Sequence, residues 1–327
     1  MTCYHPMQGY RGKEITKTGK RKIVFNPSDA FCTSEPFQVT IPCNQCIGCR
    51  LERSRQWATR CMHEASLYQN NCFITLTYDD DHLPENGSLR YKDFQDFMKR
   101  LRWRAQGLEP VLRDGKTTYP IRFYMCSEYG ERYGRPHYHA ILFNYDFPDK
   151  QVLKRTGSGE LIYRSSFLEE LWSSGYSSIG NVTFDSAAYV ARYIMKKATG
   201  DAAFHKYGKI DYDTGEYIHL EVEDNKMSRK PGIAKDWFDK YYEDVYNNDE
   251  VIIPRKKRNI QAKPPRYYDN QFEVIYPGDF ELIKSKRKKN ARKHADNQTF
   301  DRLLVREKCK LAQINNLCRN KEFTNDS

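Results

Sequence analysis

The central part of the sequence predicts an α+β fold built on an antiparallel sheet. Apolar and β-branched runs alternate there with longer amphipathic segments, as strands alternate with helices. The order is βαββαβ with one further helix: strand 72–78, helix 91–105, strands 120–128 and 136–143, helix 166–173, strand 178–184 and helix 185–199. This order is typical of the ferredoxin-like, split βαβ arrangement, which has helices on one face of an antiparallel sheet whose first and third strands are central neighbours.

The first strand, Phe73-Ile-Thr-Leu-Thr-Tyr78, is an apolar and β-branched run, which favours a strand packed between neighbours. In the split βαβ order, one of those neighbours is the strand 136–143. We therefore assign the first strand a supporting role and predict no catalytic residue in it.

The strand 136–143 carries a pair of histidines, His137 and His139, which is the most informative feature of the sequence. Alternate side chains of an extended strand share a face, so both imidazoles point one way and Tyr138 points the other. Such a pair suits a divalent metal ion, although it is also compatible with a polar sheet face that binds none.

A carboxylate that can complete this site lies on the preceding strand. Residues 121–128 predict that strand, and the glycine-flanked segment 129–136 predicts the loop that returns the chain. Glu128 then lies across from the histidines, whereas its rival Glu131 falls in the loop, where a carboxylate is less firmly placed. Two imidazoles and one carboxylate suit Mg or Mn and leave open the coordination positions that catalysis needs.

The last helix, 185–199, contains two tyrosines one turn apart, and Asp185 and Ser186 predict its N-terminal cap. At about 100° per residue, one side of the helix is polar and the other apolar: Tyr189, Arg192, Tyr193 and Lys196 form the first, and Ala187, Val190, Ala191, Ile194 and Met195 the second. A free tyrosine has a pKa of about 10, and neighbouring cations favour the phenolate and stabilise charge on a phosphate, which makes both phenols candidate nucleophiles. The alternative is a pair of amphipathic tyrosines at the rim of the core.

Three motifs of the chain occur in the order known from one protein family. They are Phe73-Ile-Thr-Leu-Thr-Tyr78, Arg135-Pro-His-Tyr-His-Ala140 and Tyr189-Val-Ala-Arg-Tyr193-Ile-Met-Lys196. With them the chain resembles the HUH endonucleases that initiate rolling-circle replication, and within these the replication initiation proteins of gokushoviruses, microvirus phages with single-stranded DNA. Residues 42–49 and 226–233 are similar to the family as well, so the resemblance extends over roughly residues 40–245.

The resemblance implies an HUH nuclease core with the activity of a sequence-specific single-stranded DNA endonuclease and strand transferase. Such an enzyme nicks the phage origin through a 5′-phosphotyrosine link and leaves a 3′ hydroxyl that primes synthesis. By motif position the roles fall on the following residues: His137, His139 and Glu128 as metal ligands, Tyr189 and Tyr193 as nucleophiles, and Lys196 as the lysine that follows them. The partners implied are single-stranded and replicative-form phage DNA and host replication proteins.

Two other functions fit part of the sequence. A non-catalytic nucleic-acid-binding protein with a zinc module and a basic tail explains the charge, but it does not explain the histidines, the carboxylate and the tyrosines together. A metal-dependent hydrolase that uses activated water would leave no protein bound to DNA.

Cys43, Cys46 and Cys49 are each separated by two residues, between a predicted strand, 37–41, and a predicted amphipathic helix. The chain has ten cysteines and no export signal, which favours reduced thiols or metal ligands and the cytoplasm of a bacterial host. Close thiolates indicate structural Zn, whose fourth ligand would be one of the cysteines or histidines nearby in sequence: Cys3, Cys32 or His5. An iron–sulfur cluster and three free thiols are the alternatives.

Composition indicates a polar, basic chain. It has 327 residues and a formal net charge of +11, and its mean hydropathy is −0.85. No apolar run approaches the roughly 18 residues of a membrane span, so we expect no membrane partner. The sequence predicts four parts: an N-terminal Cys-rich segment and helix (1–71), the HUH nuclease core (72–200), an accessory hairpin and helix (201–253) and a basic C-terminal region (254–327).

The basic excess is local. Residues 254–294 hold 13 Lys and Arg against 4 Asp and Glu. The clusters 255–258 and 286–289, with Tyr267 and Tyr268 between them, predict a sequence-independent grip on DNA phosphates together with base stacking. A solvated charged surface is the alternative.

Overall fold

The computed structural model describes residues 3–16, 19–34, 37–113, 115–130, 134–157, 159–192, 201–210, 214–253 and 259–322. The chain divides into two compact units: Ser54–Phe280 form the larger, and Met1–Arg53 together with Glu281–Ser327 form the smaller. The four-part division by sequence stays a prediction. No helix within the described ranges is both long and apolar enough to cross a membrane.

The strands, in chain order, are β1 (Met7–Ile15), β2 (Arg21–Val24), β3 (Gln38–Ile41), β4 (Asn71–Tyr78), β5 (Val111–Arg113), β6 (Lys116–Thr118), β7 (Arg122–Tyr129), β8 (Pro136–Phe143), β9 (Gln151–Arg155), β10 (Leu161–Arg164), β11 (Gly175–Gly180), β12 (Gly208–Ile210), β13 (Tyr217–His219), β14 (Asn225–Met227), β15 (Val251–Ile253) and β16 (Ile260–Ala262). The helices are α1 (Ile47–Ala65), α2 (Tyr91–Arg104), α3 (Ser166–Leu171), α4 (Phe184–Arg192), α5 (Asp201–Tyr207), α6 (Lys235–Asn248), α7 (Arg266–Ile275), α8 (Pro277–Arg292) and α9 (Phe300–Glu322).

The larger unit is built on a seven-stranded antiparallel sheet in the order β14-β7-β8-β4-β11-β10-β9. Its four middle strands are those of the predicted βαββαβ core, and the first and third of them, β4 and β8, are neighbours. The ferredoxin-like, split βαβ prediction is therefore confirmed.

The sheet differs from the prediction at β11 and at its edges. The strand expected at 178–184 runs from Gly175 to Gly180. It begins early because Gly175, at φ 142°, lies against the backbone of β4, where a Cβ would come within 2.3 Å of the amide nitrogen of Asp79. Strands β9, β10 and β14, which the sequence did not predict, extend the sheet at its two edges.

The two crossover helices, α2 and α3, pack on one face of the sheet. The side chains of β4 and β8 that point to this face belong to the main core, together with apolar residues of both helices: Ile74, Leu76, Tyr138, Ala140 and Leu142 from the strands and Phe94, Phe97, Leu101, Leu168 and Leu171 from the helices. Tyr138 thus points away from the two histidines, as the alternation predicts.

Helices α1 and α4 pack on the opposite face, which carries the histidines. Trp57 of α1 stacks on Tyr124 of β7 with 4.8 Å between ring centroids. The hydroxyl of Ser54 donates to the carbonyl of Ala188 in α4 at 3.0 Å, which joins the two helices. This face is where the site is built.

The smaller unit contains a three-stranded sheet in the order β2-β1-β3. In it Met7 pairs with Ile41, and β3 lies within the strand predicted at 37–41. The first turns of α1 and the helix α9 belong to the same unit.

Candidate active site

The register of two neighbouring strands brings the predicted carboxylate to the predicted histidines. In the β7–β8 pair, Glu128 lies directly opposite His137, and Cys126 lies opposite His139. An oxygen of Glu128, Oε1, is 2.6 Å from Nε2 of His137 and 3.0 Å from Nε2 of His139. One ligand atom from each of the three residues lies within 4.8 Å of the other two.

Each imidazole is held through its other nitrogen. Nδ1 of His137 lies 3.0 Å from the carbonyl oxygen of Arg135, which can only accept, so Nδ1 carries the proton and Nε2 keeps its lone pair. Nδ1 of His139 lies 2.9 Å from the hydroxyl of Thr75. This arrangement fixes ring orientation in protein metal sites. Adjacent ligands of an ion with bonds of about 2.1 Å lie about 3 Å apart, so the spacing fits a divalent ion such as Mg or Mn.

Two opposing effects set the charge of Glu128. Burial raises its pKa, but the hydrogen bonds and charges of His137 and His139 outweigh burial and hold the pKa below its usual value. The side chain is therefore a carboxylate at neutral pH, the form that binds a cation. Its rival Glu131 lies outside the described residues.

Strand β4 contributes two supports that the sequence reading did not assign individually. Thr75 lies opposite His139 and bonds to it, and the ring of Phe73 stacks on the His139 imidazole at 5.7 Å and 11°. The period of two places Phe73 and Thr75 on one face of β4, and the central pairing of β4 with β8 gives that face to the histidines. The signal was present in the sequence, but the pairing register was needed to use it.

Tyr189 reaches the same place from helix α4. Its ring packs edge-on against the imidazole of His139, with 5.2 Å between centroids and an interplanar angle of 82°. Its side chain is 37% exposed, whereas Val190 and Ala191 are buried on the other side of the helix, as the helical pattern predicts. The other two residues expected to act from this helix, Tyr193 and Lys196, lie outside the described residues.

The start of helix α4 corrects one prediction. The expected cap, Asp185 and Ser186, lies inside the first turn, and the cap is Thr183. The Thr183 hydroxyl accepts from the amide of Ser186 at 3.1 Å, and the Ser186 hydroxyl accepts from the amide of Thr183 at 2.8 Å. This reciprocal pair is a capping box with serine in place of the usual Glu or Gln, which is why the sequence signal was read two to three residues late.

The three predicted cysteine ligands lie together with a fourth cysteine. Cys3, Cys43, Cys46 and Cys49 place their sulfurs within 4.8 Å of one another. The other two residues considered for the fourth position have different neighbours: His5 contacts Glu307 at 2.5 Å, and Cys32 lies 2.9 Å from the hydroxyl of Ser34.

The tyrosines between the basic clusters are not both open to DNA. Tyr268 is fully buried and bonds to His63 at 2.8 Å, so the prediction that it stacks on bases is wrong. It falls on the apolar side of α7, which packs into the unit. The ring of Tyr267 lies under the Arg60 guanidinium at 3.8 Å. Of the basic clusters, 286–289 lies in α8, and 255–258 lies outside the described part of the chain.

Comparison with known proteins places the chain among phage proteins. A family model for replication-associated proteins of the ORF2 type matches residues 71–198. Replication-associated protein VP4 of Bdellovibrio phage phiMH2K is 35% identical over 260 residues, which cover 79% of this chain and 75% of that protein. Replication-associated protein ORF2 of Spiroplasma virus 4 is 30% identical over 302 residues, or 90% and 88%. Replication-associated protein ORF4 of Chlamydia phage 1 is 34% identical over 258 residues, or 78% and 59%. No solved structure gives a significant match.

The family match spans all four core strands, the histidine pair and the described part of the tyrosine helix. The relatives add similarity over most of the chain at both levels of coverage. With this agreement between motifs, fold and relatives, the chain belongs to the phage replication-associated proteins as a microvirus replication initiator.

Proposed function

We propose that the protein is a sequence-specific single-stranded DNA endonuclease and strand transferase, which nicks the phage origin through a phosphotyrosine intermediate to start rolling-circle replication. The observation that carries the proposal is the contact between Tyr189 and His139, because it sets a phenol beside three potential ligands of a divalent ion. A metal site and a nucleophile are the two parts that phosphodiester cleavage through a covalent intermediate requires.

The proposed first step is an in-line displacement at one phosphorus. The phenolic oxygen of a tyrosine forms a bond to phosphorus, the bond from phosphorus to O3′ breaks, and the departing O3′ takes up a proton as the phenol loses one. The 5′ end then stays on the protein as phosphotyrosine, and the free 3′ hydroxyl is available as a primer. Attack of a 3′ hydroxyl on the phosphotyrosine reverses the step and rejoins a strand.

Each residue has one part in this scheme. Glu128, His137 and His139 would hold Mg or Mn, which, when bound, polarises the scissile phosphate. Tyr189 is in place to attack, and its exposure lets a strand reach the phenol. Tyr193, one turn further along the sequence, would serve the second transfer, and Lys196 would stabilise negative charge on the phosphate. The partners are single-stranded and replicative-form phage DNA and host replication proteins, met in the cytoplasm of the bacterial host.

The test is a denaturing gel of the full chain with labelled single-stranded phage DNA and Mn or Mg. Wild type is compared with Tyr189→Phe, Tyr193→Phe and the double variant, and Tyr119→Phe serves as a control at an exposed tyrosine on a loop. We expect a metal-dependent covalent protein–DNA band in wild type and the control. The double variant should give no band, and the single variants should show which tyrosine cuts first.

Two other outcomes would contradict the proposal. Cleavage without a covalent band would identify a hydrolase that uses activated water. DNA that is shifted on a native gel but never cut would identify a protein that only binds nucleic acid.

A further inference from the structure

The four clustered cysteines have the spacing of ligands that share one ion. The sulfur of Cys3 lies 3.6 Å from that of Cys43 and 3.9 Å from that of Cys46, and the sulfurs of Cys43 and Cys49 are 4.0 Å apart. Four thiolates in a tetrahedron around zinc, with bonds of about 2.3 Å, have sulfurs about 3.8 Å apart. A disulfide requires about 2.05 Å, so these separations match shared coordination and not a disulfide.

The backbone around the cluster is folded toward the sulfurs. The amide of Cys43 donates to the sulfur of Cys3 at 3.2 Å, and the amide of Cys46 donates to that of Cys43 at 3.3 Å. The amide of Tyr4 donates to the sulfur of Cys46 at 3.3 Å. Amide donors of this kind stabilise sulfur as thiolate, which is the form that binds metal.

One turn residue makes this possible within the Cys43–Cys46 segment. Asn44 has a φ of 61°, the left-handed conformation that asparagine tolerates better than most residues. It bends the chain back immediately after Cys43, so that the Cys46 amide faces the Cys43 sulfur. The loop is therefore shaped around the sulfurs before α1 begins.

The smaller unit has little else to hold it together. Among its described residues, the buried apolar side chains are Cys3, Tyr4, Ala30, Cys49 and Leu303. Two of these five are members of the cluster. Domains with so small a core usually need a disulfide or a structural metal to be stable.

The residues that follow Cys3 contact the C-terminal helix of the same unit. The ring of Tyr4 lies 5.9 Å from the Arg306 guanidinium, and Nε2 of His5 is 2.5 Å from Oε2 of Glu307. Both partners are on α9. Whatever fixes Cys3 therefore also fixes the attachment of α9.

From this geometry we infer that Cys3, Cys43, Cys46 and Cys49 bind one structural zinc ion, which clamps the N-terminal segment to the start of α1 and thereby secures helix α9. All four positions of the ion are filled by sulfur, so it has no open position for substrate and is separate from the proposed Mg or Mn centre. A cluster of several irons does not fit as well, because its thiolates bind different irons rather than one shared ion.

The test begins with metal analysis of the full-length protein, purified without added metal. We expect one zinc per chain in wild type, in Cys32→Ser and in the double variant His137→Ala/His139→Ala, and well under half of that in Cys46→Ser. Cys32 is the matched control, because it is a cysteine of the same unit outside the cluster. Wild type without zinc, one iron in its place, or full zinc in Cys46→Ser would each overturn the inference.

A second measurement covers the case in which Cys46→Ser does not fold. A mercurial that reacts with thiolates should release the zinc from wild type, and limited proteolysis should then cut within α9 at least ten times faster than in the zinc-loaded protein. An unchanged cleavage rate after zinc release would refute the clamp. Neither measurement depends on DNA cleavage, so its result is independent of the proposed nicking activity.

Discussion

Thr75 is the residue through which β4 acts on the site, because its hydroxyl holds Nδ1 of His139 at 2.9 Å. Substitution of Thr75 by valine keeps the shape of the side chain and removes this partner. We expect the Mn concentration for half-maximal DNA cleavage to rise about 10-fold to 100-fold, the usual cost of losing such a partner of a metal ligand, with most activity regained at saturating Mn.

The matched control for this variant is Thr77→Val on the same face of the same strand. Thr77 lies opposite His137, whose Nδ1 bonds instead to the carbonyl of Arg135. It should leave the Mn requirement within about 2-fold of wild type. Equal Mn requirements in the two variants would mean that Thr75 does not position the imidazole.

At the level of elements, helix α1 is tied to the rest of the larger unit by a buried ion pair. Glu64 and Arg122 lie 2.5 Å apart with 1% and 3% of their side chains exposed. Each also bonds to the segment before α6: the Arg122 guanidinium donates to the carbonyl of Pro231 at 2.8 Å, and the amide of Ala234 donates to Glu64 at 2.5 Å. One pair thus joins a helix, a strand and a loop.

Arg122→Met leaves the Glu64 carboxylate buried without its cation, which should lower the free energy of unfolding by about 3–5 kcal/mol. Urea unfolding followed by tryptophan fluorescence measures this, because all four tryptophans lie in the larger unit. The control is Arg104→Met, which breaks an exposed pair with Glu170 and should cost less than about 1 kcal/mol. Similar losses in both variants would refute the role of the buried pair.

A second contact between elements makes stability depend on pH. His63 of α1 stacks on Trp237 of α6 at 3.6 Å and bonds to Tyr268 of α7, and burial lowers its pKa to about 3. The unfolded chain binds a proton at this residue below a pH of about 6.5, whereas the folded chain does not until about 3. The contribution is therefore complete above about pH 6.5 and is lost as the pH falls toward 3.

Between pH 7.5 and pH 5, wild type should lose about 2 kcal/mol more stability than His63→Gln. Exposed His205 supplies the control, since His205→Gln should keep the pH dependence of wild type. Urea unfolding at both pH values decides the matter, and parallel curves for wild type and His63→Gln would contradict the prediction.

The elements also indicate where sequence reasoning ends. Strand β8 was predicted with its bounds, because an apolar run between a proline and an asparagine turn is a strong local signal. Strand β9 was missed because all five of its residues are exposed and show no alternation. Cys3 could not be chosen as the fourth cysteine, since its place depends on the pairing of Met7 with Ile41 some 34 positions away. Long-range register, not local pattern, is what the sequence left open.

On the scale of the whole molecule, positive charge is concentrated near the C-terminus. Exposed cations follow one another along α8: Lys286, Lys288, Lys289 and Arg292. With the remaining basic cluster, 255–258, outside the described residues, α8 is where a phosphate-binding surface can be tested directly. A stretch of this kind suits DNA of any sequence, because phosphates repeat along every strand.

Neutralising Lys286, Lys288 and Lys289 together with glutamine should weaken binding to single-stranded DNA that lacks the origin. Each phosphate contact on single strands contributes about 0.7 to the slope of log K against log salt, so the slope should fall by about 2 if all three lysines make contacts. Fluorescence anisotropy across a salt series measures it. The control removes the same charge from exposed lysines elsewhere, Lys92, Lys99 and Lys116, and should leave the slope nearly unchanged. An equal drop in both variants would mean that net charge alone attracts DNA, and no drop in the α8 variant would leave those lysines as a solvated surface.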